Sequence, residues 1–150
     1  MPTSATISAL MRFKNPALYT IKPEDTVFDA IQTMSDKNVG ALLVVTEEGR
    51  LVGVISERDY TRKVALKGKS SKETPVRDIL SSPVISATPS STIEECMRLM
   101  TTHRVRHLPV LDGDSLQGII SIGDLVNWII SAQNLTIHQL ENYITGQYPG

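Results

Sequence analysis

The chain repeats itself, and the repeat limits its fold more than any other feature. Ala17–Val64 lays over Pro83–Ile129. Pro23, Thr26, Met34, Val39, Leu42 and Val44 fall on Pro89, Thr92, Met100, Val105, Leu108 and Val110, at the offset of 66 set by Thr26 and Thr92. After a one-residue shortening, Leu51, Gly53, Ile55, Ser56 and Asp59 fall on Leu116, Gly118, Ile120, Ser121 and Asp124, at the offset of 65 set by Gly53 and Gly118. Such a chain builds two similar structural halves.

Each copy reads β-α-β-β-α. A short extended piece, Leu18–Ile21 or Val84–Ala87, stops at Pro23 or Pro89. A helix is predicted from Thr26 or Thr92, each with an acid three residues on (Asp29, Glu95). Its apolar stripe is Val27, Ala30, Ile31 and Met34, or Ile93, Cys96, Met97 and Met100. Two strands follow around a polar turn: Ala41–Val45 and Leu51–Ile55, then Leu108–Leu111 and Leu116–Ile120. A closing helix carries Tyr60, Val64 and Leu66, or Leu125, Val126, Ile129 and Ile130.

A unit of about 50 residues is near the lower limit for folding alone. The two copies are therefore expected to share a core, sheet to sheet, about a pseudo-twofold. The fold class is α/β (α+β), with repeats over 17–66 and 83–133 and a linker with a short helix over 67–82. Helical extensions are expected over 1–16 and 134–150. Lys67–Thr74 is polar and basic, and packing is not expected to order it. Pro75–Leu80 supplies the short helix; Ser4–Phe13 and Leu135–Ile144 supply the terminal ones.

Composition excludes several functions. The net charge is −1, so no global field favours nucleic acid or membrane. The basic Arg58–Lys72 stretch reads as a solvated helix and linker. No segment reaches the length of a membrane span, and Met1–Asn15 lacks the apolar run of a secretory signal. A cytoplasmic protein is expected. The one cysteine, Cys96, sits on an apolar helical stripe and reads as packing. His103 and His107 are four apart, but Val105, Leu108 and Val110 make the segment extended, and no third ligand is near; no metal is expected. There is no nucleophile–base pair and no phosphate loop, so no enzyme is expected.

Gly53–Tyr60 and Gly118–Leu125 each place a serine, and three residues later an aspartate, where a strand turns into a helix. Two readings stand. The pair satisfies the helix's own donors as a capping box, or it holds a polar ligand at the helix start.

VGALLVV (Val39–Val45) with GVISERD (Gly53–Asp59), and VRHLPVL (Val105–Leu111) with GIISIGD (Gly118–Asp124), resemble a tandem pair of CBS domains, a Bateman module. The resemblance spans about Pro16–Ser131. It implies a regulatory adenosine nucleotide, AMP first, with ADP, ATP, NAD(H) or S-adenosylmethionine as alternatives. It implies that Asp59 and Asp124 hold ribose hydroxyls, which suits a carboxylate facing a vicinal diol. Ser56 and Ser121 would contact ribose or phosphate beside them. Each purine slot would come from the other repeat. Ile85, Val105 and the backbone of Arg106-His107 would serve Asp59; Tyr19, Val39 and the backbone of Gly40-Ala41 would serve Asp124.

In kinase-regulating relatives a His-Arg pair meets phosphate where Arg106-His107 stands here, leaving open which side chain faces inward. Arg58 and Arg62, against Gly123 and Asn127, would place the stronger phosphate field at Asp59. The alternatives are a solvated face for Arg58 and Arg62 and a satisfied core position for His107. Trp128 is expected in the core or at a dimer face. The function implied is a ligand-sensing module that dimerises through its helices and acts on a separate protein. The alternative is a ligand-free interaction and dimerisation module with vestigial nucleotide sites.

Overall fold

The computed structural model describes residues 5–14, 18–80 and 84–144, with side chains as far as residue 133. In chain order they form α1 (Ile7–Met11), β1 (Thr20–Ile21), α2 (Val27–Lys37), β2 (Ala41–Val45), β3 (Leu51–Ser56), α3 (Glu57–Tyr60), α4 (Ile93–His103), β4 (His107–Asp112), β5 (Ser115–Ser121) and α5 (Ile122–Ile144). This is the mixed α/β class expected.

The long helices start and stop alike. Thr26 Oγ1 accepts from Asp29 N, and Thr92 Oγ1 from Glu95 N, each at 3.1 Å. Both helices end on a left-handed residue, Asn38 or Arg104, at φ 55°. The next amide then turns back to the helix, Val39 N to Met34 O at 3.0 Å and Val105 N to Met100 O at 3.1 Å.

In the first repeat β1 pairs parallel with β2 through Thr20↔Leu43 and Ile21↔Val44. β2 pairs antiparallel with β3 from Ala41↔Ser56 to Val45↔Leu51. In the second, β4 and β5 form a two-stranded sheet. The expected strand Val84–Ala87 is not one; only Ala87 makes a bridge.

The chain divides into two compact units: residues 17–86 with 109–119, and residues 1–16 with 87–108 and 120–150. The core of the first holds Ile21, Val27, Ala30, Met34, Leu42, Val44, Ile55, Val64, Val76 and Ile79. In the second, Ile7, Leu10, Ile93, Cys96, Met100, Leu108, Ile120 and Leu125 are buried. Met97, expected in the stripe, is 37% exposed.

Each unit closes its long helix with a short ladder. In one, Val27 N donates to Thr74 O (2.9 Å), Val76 N to Asp25 O (2.8 Å) and Arg77 N to Pro23 O (2.9 Å). In the other, Ile93 N donates to Ala5 O (2.9 Å), Ile7 N to Ser91 O (2.8 Å) and Ser8 N to Pro89 O (2.9 Å). Ala5, Ile7 and Ser8 thus do for α4 what Thr74, Val76 and Arg77 do for α2. The short helix of the linker is a 3₁₀ turn, Val76–Asp78.

The expectation that packing leaves 67–74 unordered is therefore corrected. Thr74 is buried, its hydroxyl donates to Ser70 O at 2.7 Å, and Phe28 N donates to Ser71 O at 2.9 Å. Lys72 Nζ lies 5.1 Å from the Phe28 ring centre. The cause is the first turn of α2, whose amides have no partner inside their own helix.

Three further expectations fail in the closing helices. After α3 the chain widens into a π turn, Thr61–Ala65, with Leu66 N donating to Thr61 O at 3.0 Å. The wider turn buries Val64 but leaves Leu66 77% exposed. α5 is one helix of 23 residues rather than two, because no glycine or proline lies between Ile130 and Leu135 to stop it. On α5, Leu125 is buried, whereas Val126 and Ile130, expected on the apolar face, are exposed with Ile122. No described helix is long and apolar enough to cross a membrane.

Candidate functional site

Both serine–aspartate pairs form reciprocal caps. Ser56 N donates to Asp59 Oδ2 (2.9 Å) and Asp59 N to Ser56 Oγ (3.2 Å). The Ser56 hydroxyl also lies 3.0 Å from Asp59 Oδ2. Ser121 N donates to Asp124 Oδ2 (2.7 Å) and Asp124 N to Ser121 Oγ (3.1 Å). A strand that ends in a serine leaves its hydroxyl over the exposed amides of the helix that follows, which is why both copies close this way.

The backbone strip expected to flank a base lies against the motif of its own repeat. Glu57 N donates to Gly40 O at 3.0 Å, and Ile122 N to Arg106 O at 2.9 Å. In the first unit Ala41 is the register partner of Ser56, and Tyr19 and Val39 pack against the core. Arg58 and Arg62 are exposed, and Ile85 is half-buried. In the second unit Val105 and His107 are half-buried, Arg106 is exposed, and all three precede or open β4.

Sequence reasoning missed two lysines. Lys63 Nζ is 3.1 Å from Asp59 Oδ1 and donates to Ile79 O at 3.0 Å. Lys14 Nζ is 2.6 Å from Asp124 Oδ2. An acid followed four residues later by lysine on a helix was a readable signal for the first. The second spans 110 residues of chain and has no local signal. Trp128 stands where Lys63 would fall at the offset of 65. Its ring lies 5.9 Å from that of Phe13, tilted by 47°.

The two carboxylates differ in exposure, 12% of the side chain for Asp59 and 25% for Asp124. His107 is held below its ordinary pKa, chiefly by burial and then by the Lys14 ammonium; Asp124 opposes this and Arg106 adds to it. Burial raises the Cys96 thiol to about 11, as a packed cysteine requires. Among the described residues no cluster of three or more His, Cys, Asp or Glu could hold a metal. An open depression of about 590 Å³ lined by Thr46, Glu48, Arg50, Leu51 and Val52 lies at the far end of the β2–β3 hairpin from Ser56.

The CBS-domain family model matches residues 9–66 and 76–131. The chain belongs to the CBS-domain family. This CBS pair is 39% identical over 153 residues to the CBS domain-containing protein CBSX3, mitochondrial, of Arabidopsis thaliana, spanning 97% of this chain and 74% of that protein. A solved signal-transduction protein with CBS domains from Burkholderia ambifaria MC40-6 matches with a TM-score of 0.82 at 47% identity, over 86% of this chain and 96% of that one. A hexameric CBS-CP12 protein from bloom-forming cyanobacteria matches at 0.72 and 30% identity, over 81% and 69%. The chain is thus a CBS pair of the regulatory, signal-transduction kind. The second match opens at Val76, inside the ladder that closes on α2.

Proposed function

We propose that this CBS pair senses an adenosine nucleotide, AMP ahead of ADP, ATP, NAD(H) or S-adenosylmethionine, and reports it to a separate protein. The observation that carries the reading is that the serine amide of each cap donates to one carboxylate oxygen, Oδ2. Capping and ribose binding are therefore compatible in one aspartate, since a carboxylate has acceptor capacity for several donors. Ser56, Arg58 and Arg62 accompany Asp59, and Ser121 accompanies Asp124. Tyr19, Val39, Gly40, Ala41, Ile85, Val105, Arg106 and His107 are the proposed base-side and phosphate-side contacts. Lys63 and Lys14 give both aspartates a cation, so the phosphate field is more even than Arg58 and Arg62 alone imply.

Relatives named for CBS domains and signal transduction support a non-catalytic role. We further propose a homodimer through α5, where Ile122, Val126 and Ile130 expose apolar surface at four-residue spacing; the CBS-CP12 neighbour is itself hexameric, which supports assembly. The second reading, an interaction module with vestigial sites, is favoured by the fact that both aspartates already serve as caps. Mass spectrometry of small molecules retained through native purification tests the choice. A retained adenylate supports sensing; none retained, and no thermal shift with millimolar adenylates, supports the second reading.

A further inference from the structure

We propose that Lys14 makes the Asp124 site select phosphorylated ligands over unphosphorylated ones, an inference that rests on the nucleotide-sensing reading above. The helix of the second motif carries no cation of its own. Where the first has Arg58, Arg62 and Lys63, the second has Gly123, Asn127 and Trp128. The ammonium comes instead from the segment after α1. That segment is anchored by Ile7 N to Ser91 O and Ser8 N to Pro89 O, with Ile7 and Leu10 buried. The Phe13 ring beside Trp128 continues the attachment up to Lys14. Trp128, which stands at the position equivalent to Lys63, thus lies beside the segment that carries Lys14.

Lys14 occupies Oδ2 of Asp124, the oxygen that also accepts the Ser121 amide. A ribose hydroxyl arriving at this carboxylate shares its acceptor capacity with the ammonium and weakens the ion pair. A nucleoside offers the lysine no anion in return. A nucleotide brings its 5′-phosphate within the swing of the same lysine side chain, so the ion pair is exchanged rather than lost. Charge-assisted hydrogen bonds of this kind separate ligands by roughly tenfold or more.

The test isolates this site in an Asp59→Asn background and measures adenosine and AMP affinities by calorimetry. The background protein is expected to prefer AMP. Adding Lys14→Met is expected to shrink that preference by roughly tenfold or more, Lys14→Arg to keep it, and Lys14→Met with Trp128→Lys to restore part of it. Circular dichroism melts of each variant confirm that folded protein is being titrated. AMP and adenosine binding that persists with an unchanged ratio in Lys14→Met overturns this inference and leaves nucleotide sensing standing. Binding of neither ligand to any variant, the wild type included, overturns both.

Discussion

Lys63, in the π turn that follows α3, sits 3.1 Å from Asp59 four residues before it, and Asp59 is the more deeply buried of the two motif aspartates. Removing Asp59 therefore strips a cap, a serine hydroxyl contact and a half-buried lysine of their common partner. Asp59→Ala is expected to cost about 2 kcal/mol, and Asp124→Ala about 1 kcal/mol or less, given typical cap losses of about 0.5–2 kcal/mol. Urea unfolding measures both. Asp124 also loses a lysine, Lys14 at 2.6 Å, so equal losses would mean that the deeper burial and the serine hydroxyl contact of Asp59 add nothing to folding.

Gly53 has no room for a side chain. A Cβ there would meet Leu80 Cδ1 at 2.8 Å and Leu80 Cβ and Cγ at 3.3 Å. Gly53→Ala is expected to destabilise by about 1–3 kcal/mol through overpacking, and Leu80→Ala in the same chain should recover part of that loss. Strictly additive losses in the double-mutant cycle would show that the two positions do not meet.

The segment before Val76 is part of the fold, because its carbonyls satisfy the first amides of α2. Inserting two glycines between Ser71 and Lys72 is expected to cost more than 1 kcal/mol, well beyond the roughly 0.6 kcal/mol that doubling a slack loop costs. Chemical denaturation of the insertion variant reads this directly. A cost of a few tenths would return 67–74 to the status of a simple tether.

His107 sets a pH dependence. Burial and the Lys14 ammonium keep it neutral in the folded chain below its ordinary value of 6.5. The unfolded chain takes up that proton first, so it binds more protons than the native state in this range. Stability is then fully present above about pH 6.5 and falls as pH drops toward and through the lowered folded value. Urea midpoints between about pH 7.5 and pH 5.5 should fall for the wild type and fall less for His107→Gln. Identical slopes would remove His107 from the explanation.

Much of this fold was legible because apolar spacing records burial directly. Val27, Ala30 and Met34, and Ile93, Cys96 and Met100, were read as one face and are buried as one. The caps at Thr26, Thr92, Ser56 and Ser121 were legible because capping is local chemistry. What escaped reading was long-range or depended on backbone detail. Lys14 reaches Asp124 across 110 residues. The π turn that throws Leu66 outward has no composition of its own. The likeness of Ala5–Ser8 to Thr74–Arg77 shows in hydrogen bonds and hardly at all in letters, Ile7 and Val76 aside.

Titration calorimetry with AMP on the wild type, Asp59→Ala, Asp124→Ala and the double variant tests the central claim most directly. Saturable binding by the wild type, weakened in each single variant and absent in the folded double variant, is the predicted result. Heats for the double variant that match those of the wild type, or no binding by the wild type at millimolar AMP, would contradict it.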